Sequence, residues 1–142
     1  ARILESGLPE LDPGSLDELL TDAAPPHYIA VTAFAPPSDE LDAAVTELRA
    51  KLRERTRCTT TFGYGPRYLH STGQYHKGGP PNGLFIQLYQ PASEDVEIPE
   101  AGYSFEYLKN AQALGDMQTL REHGLRVVRI EIDGPEAVRG LV

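Results

Sequence analysis

Two short apolar runs, each next to a segment of helical periodicity, predict a small three-layer α/β domain on a short, largely parallel sheet. Tyr28 to Phe34 and Leu84 to Tyr89 are nearly all apolar, as expected of strands buried on both faces. Arg126 to Asp133 alternates in its second half, like a strand at a sheet edge. The order strand, helix, strand, helix, strand suits parallel strands joined by helical crossovers.

Residues 1–26 are rich in Pro, Gly and Asp and read as a linker or peripheral arm, with one short helix expected from Ser15 to Asp22. The domain proper then runs over 27–142. Pro36-Pro37 stop the first strand, and Ser38 is suited to cap a helix whose acidic first turn favours the helix dipole. Leu41, Val45, Leu48 and Leu52 then form one apolar stripe. Pro91 to Gly102 reads as an acidic loop. Ser104 caps a second helix with Phe105, Leu108, Ala111, Leu114 and Met117 or Leu120 expected inward, and Gly124 ends it. Three strands make a thin sheet with exposed edges, which a partner chain or the rest of a longer protein is expected to complete.

A chain of 142 residues fits one core, and 40% hydrophobic with 24% charged residues is ordinary for a globular protein. No apolar run approaches the roughly 20 residues needed to cross a bilayer. The single Cys58 excludes an intrachain disulfide, consistent with a reducing cytoplasm. The chain begins at Ala1, as a processed protein or a piece of a longer polypeptide would. Formal charge is −8, but Lys51, Arg53, Arg55, Arg57, Arg67 and Lys77 face Glu54 alone in their stretch. That stretch is +5 and the remainder −13, a pattern fitting a small anionic ligand better than nucleic acid. Complementing a helix C-terminus accounts for the first four of these cations and leaves Arg67 and Lys77 for function.

Gly63 to Pro80 concentrates five glycines, His70, His76, Arg67, Lys77, Ser71, Thr72 and Gln74 in a stretch too glycine-rich for a helix. Ser71, Thr72 and Gly73 are suited to hold phosphate or sugar oxygens through hydroxyls and backbone amides. Gln74 donates and accepts, and Arg67 or Lys77 neutralises charge. An ordinary hydrophilic turn is the competing reading. His70 is a candidate proton shuttle near neutral pH, or a histidine bonded to nearby backbone. The spacing of His70 and His76 matches no common metal site, and no metal or organic cofactor is expected. Ser71 lacks the nucleophile elbow of acyl transfer, and Gly78-Gly79-Pro80 lacks the Gly-Lys-Ser/Thr ending of a phosphate-binding P-loop.

Leu69-His70-Ser71-Thr72-Gly73-Gln74-Tyr75 closely resembles the Leu-His-Ser-x-Gly-Gln stretch of bacterial glucose-6-phosphate isomerases. Gly63-Tyr64-Gly65-Pro66-Arg67 through Gly78-Gly79-Pro80 looks like the C-terminal part of the isomerase domain in bifunctional transaldolase/glucose-6-phosphate isomerase fusions, as does Tyr103-Ser104-Phe105 with Leu108 to Asp116. The resemblance implies a sugar isomerase (SIS) type fold and cofactor-free interconversion of glucose 6-phosphate and fructose 6-phosphate, a step of glycolysis and gluconeogenesis. It implies that His70 assists ring opening, with Arg67, Ser71, Thr72, Gly73, Gln74 and Lys77 around the sugar phosphate. The family's Glu-Ser-x-Gly-Lys string, which carries the proton-transferring glutamate, is absent, as is its Asn-Pro-Phe-x-Gln-Pro string. Lys109 has no firm counterpart. Half a site is therefore expected, completed by the rest of an isomerase chain or a second subunit and inactive alone. The alternatives are a non-catalytic phosphosugar-binding or regulatory module, and a protein-interaction domain using its sheet edge.

Overall fold

The computed structural model describes residues 12–21, 23–65, 82–92, 99, 100, 102 and 104–142. Its elements are α1 (Leu16–Thr21), β1 (Tyr28–Phe34), α2 (Asp39–Thr56), β2 (Thr59–Tyr64), β3 (Gly83–Tyr89), α3 (Phe105–Glu122), β4 (Arg126–Glu131) and α4 (Pro135–Arg139). The strands form one all-parallel sheet in the order β2-β1-β3-β4. A small three-layer α/β domain with helices on both faces is the result.

β1 and β3 occupy the centre because both of their faces are apolar. On one face Ile29, Val31, Ala33, Leu84, Ile86 and Leu88 meet Leu41, Ala44, Val45, Leu48 and Leu52 of α2. On the other, Ala30, Phe85 and Val127 meet Met117 and Leu120 of α3. Burying such side chains contributes roughly 1.5–3 kcal/mol each, so two packed faces dominate the stability. The expected stripe of α2 is buried in full. Ser38 Oγ accepts from the Leu41 N–H at 3.0 Å, and Ser104 Oγ accepts from the Tyr107 N–H at 3.1 Å, so both expected caps form. Gly124, at φ +78°, supplies the left-handed residue that ends α3.

The structure corrects several expectations. The sheet has four strands: Thr59–Tyr64 adds β2, which takes in Gly63 and Tyr64 from the stretch read as a loop. β2 is a half-buried edge strand whose threonines lack the polar–apolar alternation that usually marks such a strand. The last strand ends at Glu131, and α4 follows it. Phe105 is 55% exposed instead of inward. The inner face of α3 runs through Ala113, Met117 and Leu120, and its first turns there are polar, through Glu106 and Asn110.

The arm contributes to this core. Leu19 and Leu20 of α1 are 4% exposed and pack in the α2-side cluster. The Arg129 N–H donates to Pro13 O at 2.7 Å, so the arm covers part of the outer edge of β4.

Candidate functional site

From β1 the chain crosses through α2 to β2 on one side, and from β3 through α3 to β4 on the other. The connections leaving β1 and β3 therefore diverge, which makes the carboxyl ends of the central strands a topological switch point, the usual ligand position in open parallel sheets. The hydrogen-bond ladder continues past the strand ends and fixes each exit. Gly65 N–H donates to Ala33 O at 2.9 Å, Gln90 N–H to Phe34 O at 3.0 Å, and Ile132 N–H to Tyr89 O at 2.8 Å.

Arg67, His70, Ser71, Thr72, Gly73, Gln74 and Lys77 lie outside the described residues. Both ends of their segment are described. Gly65 leaves β2 at the carboxyl edge, and Asn82 enters β3, with its carbonyl accepting from the Tyr28 N–H at 3.1 Å. A Cβ at Gly65 would stand within 2.7 Å of three carbons of the Phe34 ring, so only glycine fits this exit without displacement.

At the same edge, beneath α3, lies a polar network that the sequence reading did not assemble. Tyr89, the last residue of β3, donates its hydroxyl to Glu106 in the first turn of α3. The Glu106 carboxylate also accepts from the Ala92 N–H at 2.8 Å and pairs with Lys109 Nζ at 3.2 Å. Lys109 donates further to Gln90 O at 2.6 Å. The Arg129 guanidinium stands 4.1 Å from the centroid of the Tyr89 ring, and Lys109 Nζ 5.0 Å from it. Arg129 donates to Gln87 Oε1 at 3.3 Å and Asn110 Oδ1 at 2.7 Å, while Gln87 Nε2 donates to Ala113 O at 2.9 Å.

Helical spacing explains the arrangement. Residues 106, 109, 110 and 113 lie on one face of α3, opposite the side chains of residues 87, 89 and 129 on alternate positions of two adjacent strands. Glu106 is favoured in a first turn by the dipole. Burial pushes the Tyr89 hydroxyl well above the usual tyrosine range, and its hydrogen bond to Glu106 adds to the shift, so it remains a neutral donor. Burial pushes the Arg129 guanidinium below its ordinary value, against the attraction of Tyr89, Glu131 and Glu106. The arrangement can hold charge in a partly desolvated place and offers both an ammonium and a guanidinium near the carboxyl edge of the sheet. Two signals in the sequence pointed here: a glutamine inside the apolar run of β3, and an arginine on the inward register of β4.

Among the described residues, no group of three or more His, Cys, Asp or Glu side chains is placed to hold a metal ion. No described helix is long and apolar enough to cross a membrane. A cleft of about 350 Å³ lies at the opposite end of the sheet, between α1 and the start of β4, lined by Gly14, Glu18, Arg121 and Val127 among others.

No family model matches this chain, and no curated protein matches it. Its fold is similar to the crystal structure of hypothetical protein TT0462 from Thermus thermophilus, with a TM-score of 0.61 and 24% identity over 87% of this chain. This chain spans 34% of that protein's length. A likeness at this identity establishes the three-layer α/β fold and leaves activity to be argued from the residues.

Proposed function

We propose that this chain is the C-terminal part of an aldose–ketose phosphosugar isomerase acting between glucose 6-phosphate and fructose 6-phosphate. The observation that carries the reading is the string Leu69-His70-Ser71-Thr72-Gly73-Gln74, which follows the exit of β2 at the carboxyl edge of a parallel sheet. Ligands of such sheets gather at that edge, and the string supplies hydroxyls, an amide and an imidazole of the kinds that ring opening requires. In this reading His70 moves a proton at the ring or anomeric oxygen, while Ser71, Thr72, Gly73 and Gln74 hold the sugar. Arg67 and Lys77 face the phosphate. No cofactor takes part. A carboxylate from the rest of the enzyme, or from a second subunit, carries the proton between C1 and C2.

The test is a coupled assay of fructose 6-phosphate conversion, run on this chain alone and on a polypeptide extended at its N-terminus. We expect no turnover from the chain alone and turnover from the longer polypeptide, lost by at least a hundredfold in His70→Ala. Turnover that survives His70→Ala would remove the role assigned to His70. Tight binding of fructose 6-phosphate by the chain alone, with no turnover in either form, would favour a non-catalytic binding module.

A further inference from the structure

Among the described residues, no carboxylate pairs with the Arg129 guanidinium. Its side chain is half-buried, and its hydrogen-bond acceptors are two neutral amides, Gln87 Oε1 at 3.3 Å and Asn110 Oδ1 at 2.7 Å. Its third neighbour is the face of the Tyr89 ring at 4.1 Å. The nearby Glu106 carboxylate is engaged by Tyr89, Ala92 and Lys109. Arginines removed from water are normally paired with a carboxylate, because desolvating an unpaired cation is unfavourable. Here the groups that bond the guanidinium directly are neutral, and the Glu131 and Glu106 carboxylates attract it without a direct ion pair. Gln87 is 2% exposed and is itself fixed by Ala113 O at 2.9 Å, so a buried amide is committed to orienting Arg129. A guanidinium carries five N–H donors, of which these contacts engage two, and its fork geometry matches two oxygens of one phosphate.

We infer that Arg129 is the anchor of a binding site for a phosphate monoester, held ready by Gln87, Asn110 and the ring of Tyr89. The site lies on the α3 face of the sheet, one strand outward from β3. The inference deepens the phosphosugar reading and rests on it only for the identity of the ligand that carries the phosphate. Arg129 would receive a phosphate whether or not the complete protein isomerises a sugar.

The test uses the whole chain and inorganic phosphate as the probe. The Arg129 side-chain Nε–Hε resonance is assigned by its loss in Arg129→Lys and followed through a phosphate titration, with sodium chloride holding the ionic strength constant. We expect a saturable shift of that resonance, and a rise in Tm of about 2–5 °C at roughly ten times the Kd. Arg129→Met should lose the phosphate response while remaining folded in phosphate-free buffer, where it removes a half-buried cation but leaves the buried Gln87 Oε1 without its donor. Arg129→Lys, which keeps the charge but not the fork, should bind at least fivefold more weakly. Arg57→Gln, on the basic end of α2, should keep the full response.

An unshifted resonance, or an equal phosphate response in Arg129→Met, would overturn the site. An equal shift with acetate would overturn the assignment to phosphate. Should Arg129→Met fail to fold, the titration of the parent chain and of Arg129→Lys decides the matter. Phosphate binding without isomerase turnover in the extended polypeptide would remove the isomerase reading and leave Arg129 standing; turnover without phosphate binding here would do the reverse.

Discussion

Replacing Gly65 by alanine tests how tightly the exit from β2 is packed. A Cβ there would lie 2.6 and 2.7 Å from two carbons of the Phe34 ring and closer still to a third, whereas carbon atoms in contact prefer about 3.5–4.0 Å. The ring is 0% exposed, in a cluster with Tyr89 and Ala113, and has no open space to swing into. The backbone is held as well, by the bond from Gly65 N–H to Ala33 O at 2.9 Å. The added methyl must be absorbed by shifts of about 1 Å in a packed interior, an overpacking cost of roughly 1–3 kcal/mol. In urea, at a slope of about 1–3 kcal/mol per M, the unfolding midpoint should fall by roughly 0.3–3 M with the slope unchanged. Phe34→Leu makes room at the same place. In the double variant the two losses should therefore combine to at least about 1 kcal/mol less than their sum. A Gly65→Ala protein within about 0.5 kcal/mol of the parent, or strict additivity with Phe34→Leu, would refute the steric argument.

Leu48→Ala, at the centre of the buried stripe of α2, should cost about 2–5 kcal/mol through lost transfer energy and a cavity, measured by urea denaturation. Tyr64 gives a pH signature. Burial and its hydrogen bond to Asp42 push the Tyr64 hydroxyl up to about 12, so the folded state holds this proton more tightly than the unfolded state does. The resulting stability is fully present below about pH 10 and is lost as pH rises from there through 12. Absorbance at about 295 nm should show a late-titrating tyrosine near pH 12 that disappears in Tyr64→Phe; an unchanged titration curve would count against the assignment.

The α/β class, the two central strands and both long helices were legible because each depends on local signals. Doubly apolar runs mark strands covered on both sides, and Ser38 and Ser104 each stand one residue before the first turn they cap. The motif from Leu69 to Gln74 lies outside the described residues, and its chemistry belongs to the proposal above. β2 was not legible, because Thr59-Thr60-Thr61 carry none of the alternation that usually marks a half-buried strand, and it is pairing with β1 that makes them one. The inward face of α3 was read correctly at Leu114, Met117 and Leu120 and wrongly at Phe105, which is exposed. Hydrophobic periodicity assumes an apolar partner, yet Glu106 and Asn110 turn inward to meet Tyr89 and Arg129.

The order of residues alone thus dictates which segments become the central strands and long helices, and where those helices begin. Each of these is set by side chains within a few residues of one another. Packing in three dimensions was needed to establish the strand order, the cover that the arm gives to β4, and the meeting of Gln87, Tyr89, Glu106, Lys109 and Arg129. Those five come from three elements, and their contacts exist only once β3 and β4 pair in register and α3 packs across them. Burial in that packed layer, which no local pattern records, is what leaves Arg129 partly desolvated beside neutral partners.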